Sequence, residues 1–457
     1  MASAAPMRVD DLVDGQKFGS FNLGLLVWSF LAMFAEGFEN AALGIAAPHL
    51  VREWGVAASA MGPMLSASLF GILLGAPLFG FLGDRYGRRF VIIVGCFVFG
   101  VTTLGVVAAQ DVQQIAVLRF LTGVGMGGLM SNAVALNSEL SPRRLRARLV
   151  ILMFLGITLG GSVPGFVGAW LVPEHGWRML FWVGGLFPLL VCAGLVAFLP
   201  ESVKFLAMRP GREALLLRTL RRMRPELALA DDARFDVATA APARQTSLAP
   251  LFSGGLASFT LLLWFTFSVT LMANHFLNSW MAVLFEAKGI SPESAAMITT
   301  TYHLGAAFGG IAMGMLLDRW GFLAVVGMLS VAAPVLLLIS VPGLSPVALA
   351  VLVGLAGFFV LGAQFGNNAA AGIIYPTACR SKGVGMAFAV GRTGSVLGPI
   401  VGAILIGMHL PLIWLLAAIA APLLIGAVAA LALAQLSKRR FGGWSLDERP
   451  AAAVAAE

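Results

Sequence analysis

Long apolar stretches separated by short polar ones dominate the pattern of this 457-residue chain. Each stretch is about 20 residues long, the length that an α-helix needs to cross a bilayer. The stretches are continuous, whereas the strands of a membrane β-barrel alternate between apolar and polar residues. The pattern predicts an all-α polytopic membrane protein with twelve transmembrane helices. They are expected near residues 21–48, 60–82, 90–109, 114–137, 149–172, 178–199, 256–285, 292–317, 321–341, 346–370, 382–408 and 411–436.

The composition favours a lipid environment over an aqueous one. Hydrophobic residues make up 59% of the chain and charged residues 11%, whereas soluble proteins contain roughly 45–50% and 25%. The 54 glycines suit close contact between membrane helices. The cysteines, Cys96, Cys192 and Cys379, lie too far apart for a metal motif. We therefore expect no metal and no other bound cofactor.

The basic residues predict the orientation of the chain in the membrane. If both termini are cytoplasmic, 25 of the 30 Lys and Arg residues lie on the cytoplasmic side. This asymmetry follows the positive-inside rule. It also explains the net charge of +8 without a nucleic-acid partner. The first twenty residues lack the apolar core of a signal peptide, which is consistent with a cytoplasmic N-terminus.

The polar stretches divide the chain into five parts. We predict a cytoplasmic N-terminus at 1–20, a six-helix half at 21–199, a cytoplasmic linker at 200–255, a second six-helix half at 256–436 and a cytoplasmic C-terminus at 437–457. The linker contains EALLLRTLRRMR, a basic amphipathic segment expected to lie along the membrane surface. It continues with ADDARFDVATAAPARQTS, which is expected to be flexible.

The two halves repeat one another. Residues 80–87 read GFLGDRYG and residues 314–321 read GMLLDRWG, and an offset of 234 residues aligns them. The same offset aligns Gly160 with Gly394. Two parallel repeats related by an axis along the membrane normal are one design of secondary transporters, whose substrate site lies near the midplane between the repeats.

These motifs resemble the major facilitator superfamily across nearly the whole chain. Within it, AEGFENA (35–41), RFLTGVGMGG (119–128), PESVKFL (200–206) and GRTGSVLGP (391–399) resemble the aromatic acid:proton symporters. Glu36 and Glu39 stand where that family usually has two aspartates. The resemblance implies a symporter that imports a hydroxybenzoate-like aromatic carboxylic acid by alternating access, with H⁺ as coupling ion. It also implies a monomer surrounded by lipid in the bacterial inner membrane.

Three charged residues inside predicted helices are candidates for proton coupling. Charged side chains within a membrane are costly and are functional by default. Glu36 and Glu39 are three residues apart and share one face of helix 1, and Arg119 lies at a similar depth in helix 4. We expect these three to form a cluster in which one carboxylate takes the coupling proton. The alternative is a fixed salt bridge between helices 1 and 4.

The substrate should be bound near the midplane. Arg392 lies there in helix 11 among small residues, and its guanidinium can hold a carboxylate through two hydrogen bonds. The alternative is a permanent ion pair with another helix. Polar side chains of helices 7 and 8 can bind substrate hydroxyls or join helices, and aromatic side chains can enclose a ring. The full predicted set is Arg392, His303, Tyr302, Asn274, Asn278, Phe38, Asn40, Trp280 and Phe308.

The charged loops of the repeat are expected to gate the transporter. In the family such loops clasp the two halves together when the outer side is open. This implies gating roles for Asp84, Arg85 and Arg88 in the first half, and for Asp318 and Arg319 in the second. The alternative is that the arginines only signal topology.

Other functions remain as alternatives. A symporter of this build could carry a non-aromatic organic acid, such as a ring-cleavage dicarboxylate, or the chain could export hydrophobic compounds. An enzyme is not expected, because no nucleophile–base or metal constellation is evident. GVGMGG lies inside helix 4 without the strand that a phosphate-binding loop requires. A sensor would need a folded output domain, for which residues 200–255 are too few.

Overall fold

The computed structural model describes residues 7–227, 229–230, 235–236, 248–375 and 379–441. Parts of the predicted N-terminus (1–6), linker (228, 231–234 and 237–247), second half (376–378) and C-terminus (442–457) lie outside these described residues. Within them the chain forms twelve long helices, which we label α1 to α12. They are α1 (Ser20–Trp54), α2 (Gly62–Tyr86), α3 (Arg88–Gly105), α4 (Val112–Leu140), α5 (Arg143–Trp170), α6 (Arg178–Phe198), α7 (Ala257–Ala287), α8 (Pro292–Trp320), α9 (Leu323–Leu338), α10 (Pro346–Ile374), α11 (Arg380–Gly407) and α12 (Leu412–Phe441).

Short elements connect or flank these helices. Helical turns occur at Val9–Asp14, Ala58–Met61, Val106–Ala108, Val172–His175, Val203–Ala207, Glu213–Met223 and Ala249–Leu251. Two two-residue strands, β1 (Met7–Arg8) and β2 (Phe235–Asp236), pair in parallel. Among the described residues, ten of the long helices are long and apolar enough to cross a membrane. The other two are α9, a shorter apolar helix, and α8, which carries the polar run Thr299–His303.

Side-chain caps define where several helices begin. Asp111 Oδ1 accepts a hydrogen bond of 2.7 Å from the backbone N–H of Gln114 at the start of α4. Ser291 and Ser345 cap α8 and α10 in the same way. Each serine is followed by a proline, whose fixed φ suits the first helical position. The caps satisfy backbone donors that would otherwise have no partner at these helix ends.

The structure repeats itself at the offset seen in the sequence. Gly87 and Gly321, which end α2 and α8, are 234 residues apart and have positive φ angles of 105° and 53°. A Cβ on Gly71 or Gly123 would overlap the backbone between α2 and α4, and a Cβ on Gly305 or Gly357, the equivalent positions, would do so between α8 and α10. Each half therefore packs its second helix against its fourth through matching glycines.

The two halves touch most closely at one end of the bundle. This closed end is the one where α1 and α7 finish, at Trp54 and Ala287. Gly44 of α1 lies against the backbone of Asn278 in α7, and Gly165 of α5 lies against α8. One cluster of buried apolar side chains includes residues of both halves at this end. Towards the opposite end each half has a separate cluster.

The amphipathic linker segment packs on protein, which corrects one sequence-based expectation. Helix Glu213–Met223 buries Leu216, Leu220 and Met223 in the same apolar cluster as Val9 and Leu12 of the N-terminal turn. Its apolar face is therefore covered by the chain instead of by lipid. The apolar face of an amphipathic helix can be buried against lipid or against protein, and here the N-terminal segment covers it.

Candidate functional site

A cavity of about 170 Å³ lies between the two halves, near the middle of α1 and α11. Helices of both halves line it, which is where a repeat transporter places its substrate. Six of the predicted site residues reach it: Glu36, Asn40, Asn274, Asn278, His303 and Arg392. Their convergence from α1, α7, α8 and α11 makes this cavity the candidate substrate site.

The cavity holds one carboxylate and one guanidinium that are not directly paired. Glu36 is buried, and its Oε2 atom has no hydrogen-bond partner among the described residues. Arg392 interacts electrostatically with Glu36 across the cavity, and its Nη2 atom donates a hydrogen bond of 3.1 Å to the sulfur of Met130. Neither of the two residues has an ion-pair partner in the described part of the chain. Buried charges are normally paired, so this arrangement leaves both groups available to a ligand.

Hydrogen bonds fix the polar wall formed by α7 and α8. Tyr302 donates through its hydroxyl to Asn274 Oδ1 at 2.9 Å, and His303 Nε2 lies 3.0 Å from Asn278 Oδ1. Asn274 and Asn278 are one helical turn apart, so they present their amides on the same face of α7. Because both amide oxygens already have partners, the amide N–H groups remain to donate to a ligand. Tyr302 thus acts behind the cavity wall and does not line it.

The aromatic part of the wall differs from the one predicted. Phe154, Phe267, Phe365 and Phe388 line the cavity, and the rings of Phe267 and Phe388 meet edge to face with centroids 5.2 Å apart. Phe267 lies on the same face of α7 as the polar residues of the cavity. Phe267, Leu271, Asn274 and Asn278 follow one another at intervals of three or four residues, which is the spacing of one helix face. That spacing was the sequence signal that could have found Phe267.

The three aromatic residues predicted to enclose the ring lie elsewhere. Phe38 is buried against Gly184 of α6, within the first half. Trp280 is buried at the α7–α11 contact, where its Nε1 donates to the carbonyl of Pro399 at 3.0 Å. Phe308 is 67% exposed on the outer face of α8. An aromatic side chain in a membrane helix can pack in the protein core or face lipid. Phe38 and Trp280 pack in the core, and Phe308 is on the exposed surface.

The predicted proton-coupling cluster is divided into two parts. Glu39 forms a buried ion pair with Arg119 of α4, whose Nη2 also donates to Ser68 Oγ at 3.0 Å. Both side chains are almost fully buried, at 0% and 2% exposure, and neither lines the cavity. Glu36 takes no part in this pair and faces Arg392 instead. The expectation of one shared cluster is therefore wrong, whereas the alternative of a salt bridge between α1 and α4 describes Glu39 well.

The charged residues of the loop after α2 form ion pairs within the first half. Arg88 forms ion pairs with Asp84 at 2.5 Å and with Glu139 at 3.7 Å. Arg85 is exposed, and its carbonyl accepts a hydrogen bond from Arg209 at 2.7 Å. In the second half, Asp318 and Arg319 are exposed and form no ion pair with any described residue. Among the described residues, no hydrogen bond or ion pair of these five side chains joins the two halves, so their gating role stays a prediction.

Glu201, in the PESVKFL segment, anchors this loop from the side of α6. Its Oε1 accepts hydrogen bonds from the backbone N–H groups of Arg89 at 3.1 Å and Ser202 at 2.9 Å. Burial raises the pKa of the Glu201 carboxyl. A carboxylate at the first turn of α3 complements the positive end of the helix dipole. The segment therefore fixes where α3 begins relative to the end of α6.

No metal site is apparent in the residues that the structure describes, where no group of three His, Cys, Asp or Glu side chains comes together. The cavity instead offers a guanidinium, amide N–H groups and aromatic faces. These groups suit an anion with an aromatic or apolar body.

Comparison with known proteins gives the family. The sequence pattern of the Major Facilitator Superfamily matches residues 29–283 and 263–453. The chain is 36% identical to the 4-hydroxybenzoate transporter PcaK of Pseudomonas aeruginosa, over 88% of this chain and 90% of that protein. It is 33% identical to the gallate transporter of Pseudomonas putida, over 90% and 92% of the two chains.

A solved structure supports the fold. The crystal structure of a D-xylose-proton symporter superimposes with a TM-score of 0.67 at 17% identity, over 91% of this chain and 97% of that one. The predicted all-α fold of twelve helices in two six-helix halves is thereby confirmed, and so is the resemblance to the aromatic acid transporters of the superfamily. This chain belongs to the Major Facilitator Superfamily, whose members are transporters.

Proposed function

We propose that this protein is a proton-coupled symporter that imports an aromatic carboxylic acid of the hydroxybenzoate type by alternating access. The observation that carries the proposal is the central cavity, where Arg392 and Glu36 face each other without a direct ion pair. Phenylalanine side chains from both halves surround them. Relatives named as transporters of 4-hydroxybenzoate and gallate support the same substrate class.

Arg392 is the anchor for the substrate carboxylate in this proposal. A guanidinium binds a carboxylate through two parallel hydrogen bonds, which adds geometric specificity to charge attraction. Arg392 is also the only Lys or Arg among the described residues that line the cavity. A dicarboxylate would bring a second negative charge without a matching cation, so the cavity favours a monocarboxylate.

Glu36 takes the coupling proton in this proposal. An anionic substrate beside an ionised Glu36 would place two negative charges next to one guanidinium in a poorly hydrated space. Protonation of Glu36 leaves a neutral set of one carboxylate and one guanidinium, which is cheaper to carry through a low-dielectric region. Substrate and proton therefore favour each other's binding, and this mutual preference is the physical basis of symport.

The remaining features follow the topology expected for such a transporter. We place the protein in the bacterial inner membrane as a monomer, with both termini cytoplasmic, no cofactor and no covalent chemistry on the substrate. The closed end then faces the periplasm, and the charged loops after α2 and α8 lie on the cytoplasmic side, where they act in gating. The excess of Lys and Arg on that side supports this orientation.

Uptake into proteoliposomes with an imposed pH gradient tests the proposal. Wild-type protein should accumulate a hydroxybenzoate when the outside is acidic. Glu36→Gln should abolish accumulation but keep counterflow exchange, which needs no net proton movement. Glu293→Gln, at an exposed position at the start of α8, is the control and should leave both activities unchanged.

Arg392 is tested in the same vesicles. Arg392→Lys should raise KM for the aromatic acid about tenfold to hundredfold, because the two-pronged contact is lost. Accumulation by Glu36→Gln, or an unchanged KM in Arg392→Lys, would contradict the assigned roles. Stronger competition by an aliphatic dicarboxylate than by benzoates would contradict the substrate class.

A further inference from the structure

Gln364 of α10 is the one amide of the described cavity wall with a buried oxygen that has no partner. Its side chain lines the cavity and is 7% exposed. Its Nε2 donates a hydrogen bond of 3.0 Å to Asn368 Oδ1, one turn further along α10. In this orientation of the amide Oε1 is the free atom, and it finds no hydrogen-bond partner among the described residues.

The neighbouring amides of the cavity differ from Gln364 in this respect. The side-chain oxygens of Asn274 and Asn278 are already engaged by Tyr302 and His303. A ligand that supplies a donor satisfies the buried acceptor of Gln364, whereas an apolar ligand group placed against it leaves it unpaired at a cost in free energy. Apart from the Glu36 carboxyl, to which the proposed function assigns the coupling proton, Gln364 is thus the buried acceptor of the described cavity wall that a hydrogen-bond donor on the ligand can satisfy.

The chemistry of the ligand identifies that donor. If the cavity binds an aromatic carboxylate, as proposed above, the carboxylate itself can only accept hydrogen bonds and is attracted to Arg392 on α11. The one donor that a hydroxylated benzoate carries is its ring hydroxyl. We propose that Gln364 Oε1 accepts a hydrogen bond from a ring hydroxyl of the substrate, so that α10 distinguishes hydroxylated from unsubstituted aromatic acids.

The expected discrimination is large. A site built to hydrogen-bond a substrate hydroxyl rejects the analogue that lacks it, because the buried polar group then stays unpaired. A methoxy group keeps the ring oxygen but removes the hydrogen, so a methoxybenzoate should be rejected as well. The methoxy comparison shows whether Gln364 accepts or donates the hydrogen bond. If the amide N–H donated to the ring oxygen, a methoxybenzoate would still bind, because its oxygen can accept.

Equilibrium binding to purified full-length protein tests the inference, with benzoate, the three monohydroxybenzoates and the matching methoxybenzoates as probes. At least one hydroxybenzoate should bind wild-type protein at least about tenfold more tightly than benzoate and its own methoxy analogue. In Gln364→Leu this preference should fall to about twofold or less while the affinity for benzoate is kept. Gln364→Met, flexible and similar in length, carries the same expectation if the leucine variant does not fold. Gln113→Leu, at an exposed position of α4, is the control and should keep the preference.

The possible failures are distinct. Wild-type protein that binds none of these acids overturns the proposed function and this inference with it. Wild-type protein that binds benzoate, hydroxybenzoates and methoxybenzoates equally overturns the inference alone. A preference that survives in both Gln364 variants, or an equal loss of affinity for benzoate and hydroxybenzoate, also overturns it.

Discussion

The two glutamates of α1 have different surroundings although only three residues separate them. Positions three apart on a helix differ by about 60° around its axis. That angle is enough for Glu36 to face the central cavity while Glu39 faces α4, because α1 borders the cavity on one side and its own half on the other. One helix thus supplies a carboxylate to the transport pathway and another to the packing of the first half.

The Glu39–Arg119 pair should act mainly on stability. Removal of one partner leaves the other charge buried and unpaired, which costs about 3–5 kcal/mol. We expect Glu39→Gln and Arg119→Gln each to lower the melting temperature in detergent, and the double variant to be more stable than either single one. Arg143→Gln, which breaks an exposed pair with Asp14, is the control and should change stability by about 1 kcal/mol or less. Additive losses in the double variant would contradict a paired role.

Single residues also show how far the sequence could predict the site. Charge inside an apolar stretch is rare, and that rarity is enough to identify Glu36 and Arg392 from the amino-acid sequence alone. Phe308 could not be assigned in this way, because an apolar side chain gives no sign of whether it faces lipid, core or cavity. Gln364 is not predictable for a related reason: its role depends on which partner its amide finds in α10, which sequence spacing does not specify.

At the scale of the element, glycines decide how closely helices approach. Some of these contacts lie within one half, as at Gly123, where an added Cβ would overlap the backbone oxygen of Ser68. Others join the halves, as at Gly44, where it would overlap the backbone oxygen of Asn278. Only a contact between halves can be relieved by their separation. The same residue type therefore has a structural role in one place and a conformational role in the other.

A methyl group added at each place should separate these roles. Gly123→Ala should lower the free energy of unfolding by about 1–3 kcal/mol, because separation of the two halves cannot relieve a steric overlap inside one half. Gly44→Ala should stay folded and shift the population away from the closed end shown here. The measurement is the rate at which a cysteine at Ser279, beside Gly44, reacts with a water-soluble maleimide, in a background without the native cysteines.

Two comparisons complete the glycine experiment. Gly314→Ala adds a methyl group where nothing lies within 4 Å, so it should change neither stability nor labelling through steric contact. Equal loss of stability in Gly44→Ala and Gly123→Ala, without faster labelling in the former, would show that the α1–α7 contact does not open.

The element boundaries were predictable to within six residues because the helices are long and apolar. The offset of 234 residues also predicted that the halves are equivalent, and the glycine contacts of α2 with α4 and of α8 with α10 obey it. The position of helix Glu213–Met223 was not predictable in the same way. Its pattern shows an apolar face but does not specify whether lipid or the N-terminal turn covers that face.

At the scale of the whole molecule, the two halves are equivalent in fold, and in the described part of the chain their closest contacts lie at the closed end. The ion pair of Arg52 with Glu286, at 2.7 Å, links the ends of α1 and α7. Ser66 of α2 donates to the carbonyl of Val396 in α11 at 3.0 Å. Both of these contacts are polar, and an exposed ion pair such as Arg52–Glu286 can break and reform at modest cost. A transporter that alternates its access needs the closed end to open in every cycle.

A reversible cross-link at the closed end tests this requirement directly. A Cβ on Gly407, the last residue of α11, would lie 3.2 Å from the Cβ of Ser59, which precedes α2 in the other half. Disulfides need Cβ atoms about 3.5–4.5 Å apart, so a small shift allows the bond to form. The double variant Ser59→Cys/Gly407→Cys, without the native cysteines, should lose uptake when oxidised and regain it when dithiothreitol is added. Each single variant should transport under both conditions, and oxidised protein should still bind the acid, because the cavity is already present in the closed-end state. Uptake that continues after the bond has formed would mean that this end of the bundle does not open during transport.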